Sequence, residues 1–446
     1  MNRTFPRLRI FAGFVLLVAG FYLALIPEFI TIRYIFGDAG LGENRMPKFA
    51  KRLHRSLSPG YAAYAKERVA SGAGETVELH DIAGTEWPLF GSCFYLWATE
   101  ALQDAWEEGH RPSEPEPARY AREAIDAATA LVLDPKHATW VKEHYGESDY
   151  LRRDNCFYRM LVISAMASHA RLTGETSYLP HLRDMVARLA REIDESPHGL
   201  IEDYPDQCYP ADVVAALAAI KRADAVLGTD HGDVILRGIR LAAAERTGPI
   251  GLPPYAASAA SGAPLDNSRG CANAYLATFA PDIWPTEAAG IYETFVEHFW
   301  QQNAFVAGFR EFPAGGGREK YFDVDAGPVV GGLGTAATAF GLGAARANGR
   351  FDHARPIGAQ MIAASWPLAD GTLLVPRILS FAGSDHAPYL GETAILFQMT
   401  RRPAYGTNTV SGADVRLPLV VVAILSLEFA VGLLLAIKGV RMVRGR

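Results

Sequence analysis

The sequence predicts an all-α fold, an (α/α)6 toroid flanked by one transmembrane helix at each end of the chain. Three features predict it. An apolar run lies near either terminus, a succession of helical segments with little period-2 alternation lies between, and segments apolar nearly all round alternate with amphipathic ones.

The first apolar run is Ile10 to Ile32, IFAGFVLLVAGFYLALIPEFITI, close to the ~20 residues a helix needs to cross a hydrocarbon core of ~30 Å. Arg3, Arg7 and Arg9 precede it and no small-x-small cleavage site follows, so it reads as an uncleaved anchor. The second run, Leu417 to Ile437, is followed by Lys438, Arg441, Arg444 and Arg446, against Arg416 alone on the other side. The positive-inside rule then puts both termini in the cytoplasm. The chain divides into a cytoplasmic N-terminus (1–9), a first span (10–32), a periplasmic or extracellular domain (33–416), a second span (417–437) and a basic cytoplasmic tail (438–446). Glu428 falls inside the second span, where an ionisable group is costly; it marks a functional or partner-contacting position, or is simply protonated or snorkels.

Between the spans the clearest helical segments are Trp87 to Glu108, Ala118 to Leu133, Asn155 to Leu172, Tyr178 to Ile193, Ala211 to Leu227, Val234 to Arg246, Thr286 to Gln302, Gly334 to Ala347 and Pro388 to Thr400. Weaker segments bring the total to about a dozen. DVVAALAAIKRADAVLG is apolar nearly all round and suits an inner helix, whereas YLPHLRDMVARLAREID is amphipathic and suits an outer one. No fixed-period repeat points to a solenoid instead. In a toroid the loops at one end form a cleft, and motif-rich loops are the place to look for chemistry.

The composition is that of a globular protein, and the formal net charge of -6 is spread along the chain without the basic stripe that nucleic acid requires. The four cysteines, Cys93, Cys156, Cys208 and Cys271, are widely spaced and form no CxxC pair, which argues against zinc. An exported domain permits disulfides, in any of three pairings; the alternative is isolated buried thiols.

Four polar, aromatic-rich loops each lie just before an apolar helix: His80 through Glu86-Trp87 to Cys93, Glu202 to Asp212 (EDYPDQCYPAD), Leu265 to Cys271 (LDNSRGC) and Tyr321 to Gly332 (YFDVDAGPVVGG). A fifth, GSDHAPYLGE, runs from Gly383 to Glu392. The second is densest in chemistry: Glu202, Asp203, Asp206 and Asp212 with Tyr204, Tyr209 and Cys208, close enough to shift one another's pKa values and divide acid and base roles. Asp212, just after Pro210, also suits a helix N-cap. Asp323 and Asp325 alternate, which places both carboxylates on one side of an extended segment as an acid/base pair, a sugar-binding pair or a calcium ligand set. The glycines that follow lack the Lys-Ser/Thr ending of a phosphate loop. His386, beside Asp385, suits a proton shuttle, with Pro388 opening the last helix. Neither GxSxG nor HExxH occurs, so serine-hydrolase and zinc-protease chemistry has no support.

LDPK before the long loop to Asn155, the helix FYRMLVISAMASHARLTG with its TG turn, the pattern Tyr204-x-x-Gln207-Cys208 and the FDVDAG segment ahead of the glycine-rich helix resemble the linalool dehydratase–isomerase family over Ala118 to Met399. That resemblance implies a helical toroid that works on monoterpene alcohols without metal or organic cofactor, by protonating a tertiary alcohol and removing a nearby proton. Cys208 matches the second family cysteine and Asp81 the upstream aspartate. The first cysteine and the histidine of the family fall near Gly199 and Leu161 here.

The candidate catalytic residues are therefore Asp81, Tyr204, Cys208, Asp323 and Asp325. The candidate substrate-binding residues are Trp87, Asp203, Asp206, Tyr209, Cys271 and His386. The leading expectation is a membrane-anchored, cofactor-free enzyme of elimination, hydration or isomerisation on a small alcohol-bearing, isoprenoid or lipid-like substrate. The alternatives are a carbohydrate-active toroid (glycosidase, lyase or epimerase), for which paired carboxylates with Trp87 suit sugar, and a non-catalytic periplasmic binding protein.

Overall fold

The computed structural model describes residues 4–109, 114–148, 150–242, 248–316, 319–383 and 386–445. The chain is mostly helical, 65% helix with 17 helices among the described residues, as the periodicity predicts. At the ends stand α1 (Thr4–Gly37) and α17 (Leu419–Val443), both long and apolar enough to cross a membrane. Between them run α2 (Lys48–Ser71), α3 (Ile82–Gly109), α4 (Pro117–Tyr120), α5 (Arg122–Leu133), α6 (Thr139–Tyr145), α7 (Cys156–Thr173), α8 (Leu179–Glu195) and α9 (Pro210–Leu227). They are followed by α10 (Gly232–Arg237), α11 (Gly270–Ile283), α12 (Ala288–Phe299), α13 (Thr335–Ala347), α14 (Phe351–Ser365), α15 (Leu374–Gly383) and α16 (Leu390–Thr400). Arg3, Arg446 and Asp385 lie outside the described residues.

Six helices pack in a cycle: α3 on α7, α7 on α9, α9 on α11, α11 on α13, α13 on α16, and α16 back on α3. Other helices cover them from outside, α8 lying on α7 and α9, α12 on α11 and α14 on α13. The sequence dictates which is which. α9 buries Val213 through Ile220 without a break, so it has no polar face to turn to water. α8 buries Leu182, Met185, Val186, Leu189, Ala190 and Ile193, the three- and four-residue spacing of a single stripe. Each buried Leu, Met, Val or Ile of this stripe contributes about 1.5–3 kcal/mol relative to exposure. The segments ahead of the six cycle helices meet one another, Tyr204 on Glu86, Cys156 on Glu202, Cys208 on Ala257, Tyr255 on Asp325 and Asp81 against His386, which puts the starts of all six at one end.

The ends of α7 and α9 follow ordinary cap chemistry. Asn155, at φ 49°, caps α7 by accepting from the Tyr158 N–H at 3.3 Å, and Gly174 closes it at φ 73°. α9 opens with Pro210 in its first turn, so its N-cap is Tyr209 and Asp212 sits inside the first turn rather than capping it. Other boundaries also move. α3 starts at Ile82, five residues before Trp87. The Val234–Arg246 segment leaves the α-helix after Arg237 for a 3-10 turn, Gly238–Ala242, and its remainder lies outside the described residues. The Thr286–Gln302 segment ends as strand.

Five short strands were not expected from the sequence. β1 (Trp300–Gln302) pairs antiparallel with β2 (Ala307–Phe309), and β3 (Lys320–Asp323), β4 (Gly327–Val330) and β5 (Leu333–Gly334) form a second antiparallel sheet. Asp323 pairs with Gly327 across the β3–β4 turn and Asp325 lies within that turn. The expectation that both carboxylates share one side of an extended segment therefore fails.

α1 and α17 pack against each other antiparallel, through small residues. A Cβ on Gly20 would meet the Ala436 N at 2.4 Å, one on Gly432 the Ala24 N at 2.4 Å, and one on Gly439 the Gly13 O at 2.5 Å. Close backbone approach of this kind is how apolar helices associate where no hydrophobic effect drives them together. Glu428 is buried at this seam and both its carboxylate oxygens lack a hydrogen-bond partner among the described residues.

Candidate active site

The loops that precede the cycle helices meet at one end of the cycle. The Cys156 N–H at the start of α7 donates to Glu202 O at 2.9 Å, and the Gly270 N–H at the start of α11 donates to Glu311 O at 2.8 Å. The Glu202–Asp212 loop is shaped by a tight turn in which Gln207 N–H donates to Tyr204 O at 2.9 Å, with Pro205 leading and Asp206 at φ 66°. Asp206 thus points to solvent as a turn residue. Next to the turn, Cys208 and Ala257 exchange backbone hydrogen bonds of 2.9 and 2.8 Å, which fixes the loop against the segment ahead of α11.

This geometry gathers Asp203, Tyr204, Tyr209 and Asp212 over the first turns of α3. The Tyr204 hydroxyl donates to Glu86, one turn before Phe90. Asp203 is buried and accepts from the Phe157 N–H at 2.7 Å and the Tyr209 N–H at 2.9 Å. Asp325 accepts from the Tyr255 hydroxyl across from them, and the Tyr255 ring meets Tyr209 edge-on at 5.2 Å. Burial pushes both Glu86 and Asp203 up to about 7; the Asp325 charge adds to the effect on Glu86, and the Glu86 charge to that on Asp203. Asp212 is raised well above the carboxylate range by burial and then by Asp203, Glu86 and Asp325. Glu86 and Asp203 are thus acids able to hold or release a proton near neutral pH.

Below the carboxylates the inner faces turn aromatic. Phe90 of α3 stands 5.4 Å from Phe157 of α7, 5.7 Å from Tyr275 of α11 and 6.3 Å from Phe340 of α13. Four of the six cycle helices thus each contribute one ring to a common apolar floor. The buried Tyr275 hydroxyl has no hydrogen-bond partner among the described residues, and Asp212 is one of the charges acting on it.

A second polar cluster adjoins the first. Buried Arg269 donates from Nε to Glu311 at 2.7 Å and from Nη2 to Asp323 at 2.8 Å, and lies 4.2 Å over the Tyr255 ring. Asp323 also accepts from the Tyr321 hydroxyl at 2.9 Å and from the Asp325 and Ala326 N–H groups at 3.1 and 2.6 Å. Its lone pairs are engaged in holding the turn and the arginine. Cys271 donates from Sγ to Glu311 at 3.1 Å, and burial beside that carboxylate keeps its thiol protonated.

All four cysteines are free and buried. Burial, reinforced by Asp203, raises the Cys208 thiol far above its usual range, so it offers no thiolate. Asp81 lies five residues before Glu86 and faces His386, with 3.8 Å between Oδ2 and Nε2. The His386 carbonyl accepts from the Tyr64 hydroxyl and from Arg68 at 2.6 and 3.0 Å. No hydrogen bond among the described residues joins this pair to Glu86 or Tyr204. Trp87 is half-buried, one residue on from Glu86 and so turned about 100° around α3. No three His, Cys, Asp or Glu side chains among the described residues are arranged to hold a metal ion.

Glu86, though inside the first loop, is absent from the candidates the sequence offered, as are Tyr255, Arg269, Tyr275 and Glu311, and Asp212 reads in the sequence both as an acid of the second loop and as a helix N-cap. For Glu86 a signal existed. Positions 86, 90, 93 and 97 recur at helical spacing on the apolar side of α3, and a glutamate on such a stripe is a candidate by position alone.

No protein-family model matches the chain, and no curated protein matches it.

Proposed function

We propose that the chain is a membrane-anchored (α/α)6 toroid enzyme of the linalool dehydratase–isomerase type, which eliminates water from, or isomerises, a small apolar alcohol by acid/base chemistry. The observation that carries this reading is the protonatable Glu86–Tyr204 pair set over an aromatic floor, with Asp203, Asp212 and Asp325 around it. The floor binds the hydrocarbon. Asp212, held protonated by burial and its acidic neighbours, delivers its proton to the substrate hydroxyl, the C–O bond breaks with loss of water, and ionised Glu86 takes a proton from the neighbouring carbon as the alkene forms. Tyr204 orients Glu86, and passage of the abstracted proton from Glu86 back to Asp212 resets the site. In this scheme Cys208 packs the loop rather than reacting, and Asp323 positions Arg269.

The cycle of six inner helices with outer helices between them supports the toroid, and the antiparallel α1–α17 pair suits two crossings that leave both termini in the cytoplasm and residues 33–416 outside. The test is incubation of the full-length protein in mild detergent with a tertiary monoterpene alcohol, reading products by gas chromatography–mass spectrometry. Alkene or isomerised alcohol from the wild-type protein, with at least a hundredfold loss in Glu86→Gln and a smaller loss in Tyr204→Phe, is the expected result. Products undiminished in Glu86→Gln overturn the assignment, and cleavage of an oligosaccharide instead of the alcohol transfers the site to the carbohydrate reading.

A further inference from the structure

We propose that the mouth of the candidate site is pressed against the same bilayer that holds α1 and α17, so that an apolar substrate enters from the lipid rather than from water. The inference deepens the proposed function and rests on the reading of α1 and α17 as membrane spans.

The direction of the spans is the first observation. Arg346, near the C-terminal end of α13, donates to Gly40 O at 2.8 Å and to Arg401 O at 3.0 Å, which places the chain leaving α1 at the end of the cycle opposite the carboxylates. From there α1 runs back along α14. Leu41 packs at Gly358, Ile30 and Tyr34 share a cleft with Pro367 and Leu368 just beyond the end of α14, and the Tyr22 hydroxyl accepts from the Ala369 N–H at 3.0 Å. α1 is thus antiparallel to α14. Since α14 is an outer helix that returns the chain toward the start of α16, the N-terminal half of α1 projects toward the end where the cycle helices begin. α17 goes the same way, antiparallel to α1, after its first N–H groups donate to Ala304 O and Phe305 O at 2.9 Å each.

The second observation is where apolar side chains are left in water. Beyond α1 and α17, Leu79, Leu265, Phe305, Phe322, Val324, Val330, Ile378 and Leu379 are exposed on segments that lead into α3, α11, α13 or α16, against Leu236, Tyr405 and Val410 exposed elsewhere. Phe322 and Val330, on the β3–β4 hairpin that carries Asp325, are 73% and 71% exposed. Exposed apolar groups scattered singly need no explanation, but a set gathered around one end of a domain marks a contact surface. Among the described residues the rim carries Asp81, Asp266, Glu319 and Lys320 with the apolar residues, and Arg377 there is paired with Glu392, so these charges give anionic headgroups no advantage. The occupant that fits is the interfacial and upper acyl region of the bilayer, reached at the side from which the spans project.

The experiment places single cysteines, in the full chain, at Phe322 and Ile378 on the rim, at Leu236 and Tyr405 at the opposite end, and at Leu434 within α17. Each is labelled with an environment-sensitive fluorophore, and the protein is reconstituted into nanodiscs whose lipids carry nitroxide at the headgroup or high on the acyl chain. Expected are at least twofold quenching at 322 and 378, strong quenching at 434, and none at 236 and 405. Quenching at 434 with rim labels that behave like 236 and 405, open to aqueous iodide, overturns the proposal while leaving the spans in place. A label at 434 untouched by lipid nitroxide overturns the spans and this inference together. Neither outcome bears on whether Glu86 transfers protons, which the alcohol assay decides separately.

Discussion

Burial holds the Glu86 carboxyl at about 7 instead of its ordinary 4.5, so this one group makes the folded protein lose stability as pH rises. Below about pH 4 both folded and unfolded chains keep the proton and the group contributes no difference. Between about pH 4 and pH 7 the unfolded chain gives up its proton first, the folded state binds more protons, and stability falls; above that the penalty is complete. At about 1.4 kcal/mol per pKa unit the rise amounts to about 3 kcal/mol. Glu86→Gln removes the titration while keeping a carbonyl oxygen to accept from Tyr204. The variant should match the wild-type protein within about 1 kcal/mol at pH 4.5 and exceed it by about 3 kcal/mol at pH 8. Urea unfolding in mild detergent, followed by tryptophan fluorescence, measures the difference. Asp203, also pushed up to about 7 and partly by the Glu86 charge, keeps its own slope in the variant but moves to lower pH. A stability difference that is the same at both pH values would refute the claim that Glu86 holds its proton to near neutrality.

The Arg269–Glu311 pair, with both side chains almost wholly buried, gives a second prediction. Arg269→Met leaves an uncompensated carboxylate in the interior and should cost about 3–5 kcal/mol, whereas Arg269→Met with Glu311→Met should recover more than half of that; urea unfolding of the two variants checks both values. The loss in Arg269→Met should be larger at pH 8 than at pH 5, because Glu311, already raised by burial, then binds its proton more tightly folded than unfolded. The four buried thiols should resist a water-soluble maleimide in the native protein and all react in denaturant, as counted by mass spectrometry. Rapid native labelling of Cys208 would restore it as a candidate nucleophile.

What the sequence made legible follows the range of the interactions involved. Inner helices such as α9 and outer ones such as α8 were separable because burial all round and burial on one stripe leave different periodicities within a single segment. The loop at Tyr204 was visible as a concentration of acids and phenols for the same local reason. The carboxylate that completes the site was not, because Glu86 and Tyr204 are 118 residues apart and only closure of the cycle brings them together. The Asp323–Asp325 alternation misled for a related reason. A period of two looks the same whether the second residue continues a strand or enters a turn, and here the Asp323 carboxylate itself makes the turn by accepting the Asp325 and Ala326 N–H groups.

The same closure explains why acids collect where they do. Each cycle helix brings the unpaired N–H groups of its first turn to one end, and this favours negative charge there. Asp203 uses that field directly, through the Phe157 N–H in the first turn of α7 and the Tyr209 N–H at the N-cap of α9. Asp212 and Glu86 lie within the first or second turn of α9 and α3 with no N–H bond to their carboxylates among the described residues, so burial and mutual repulsion outweigh the helix termini and raise both above the ordinary carboxylate range. Carboxylates of two kinds therefore meet at the starts of α3, α7 and α9: Asp203 fastened to backbone, and Glu86 and Asp212 without such backbone bonds above the rings of Phe90, Phe157, Tyr275 and Phe340.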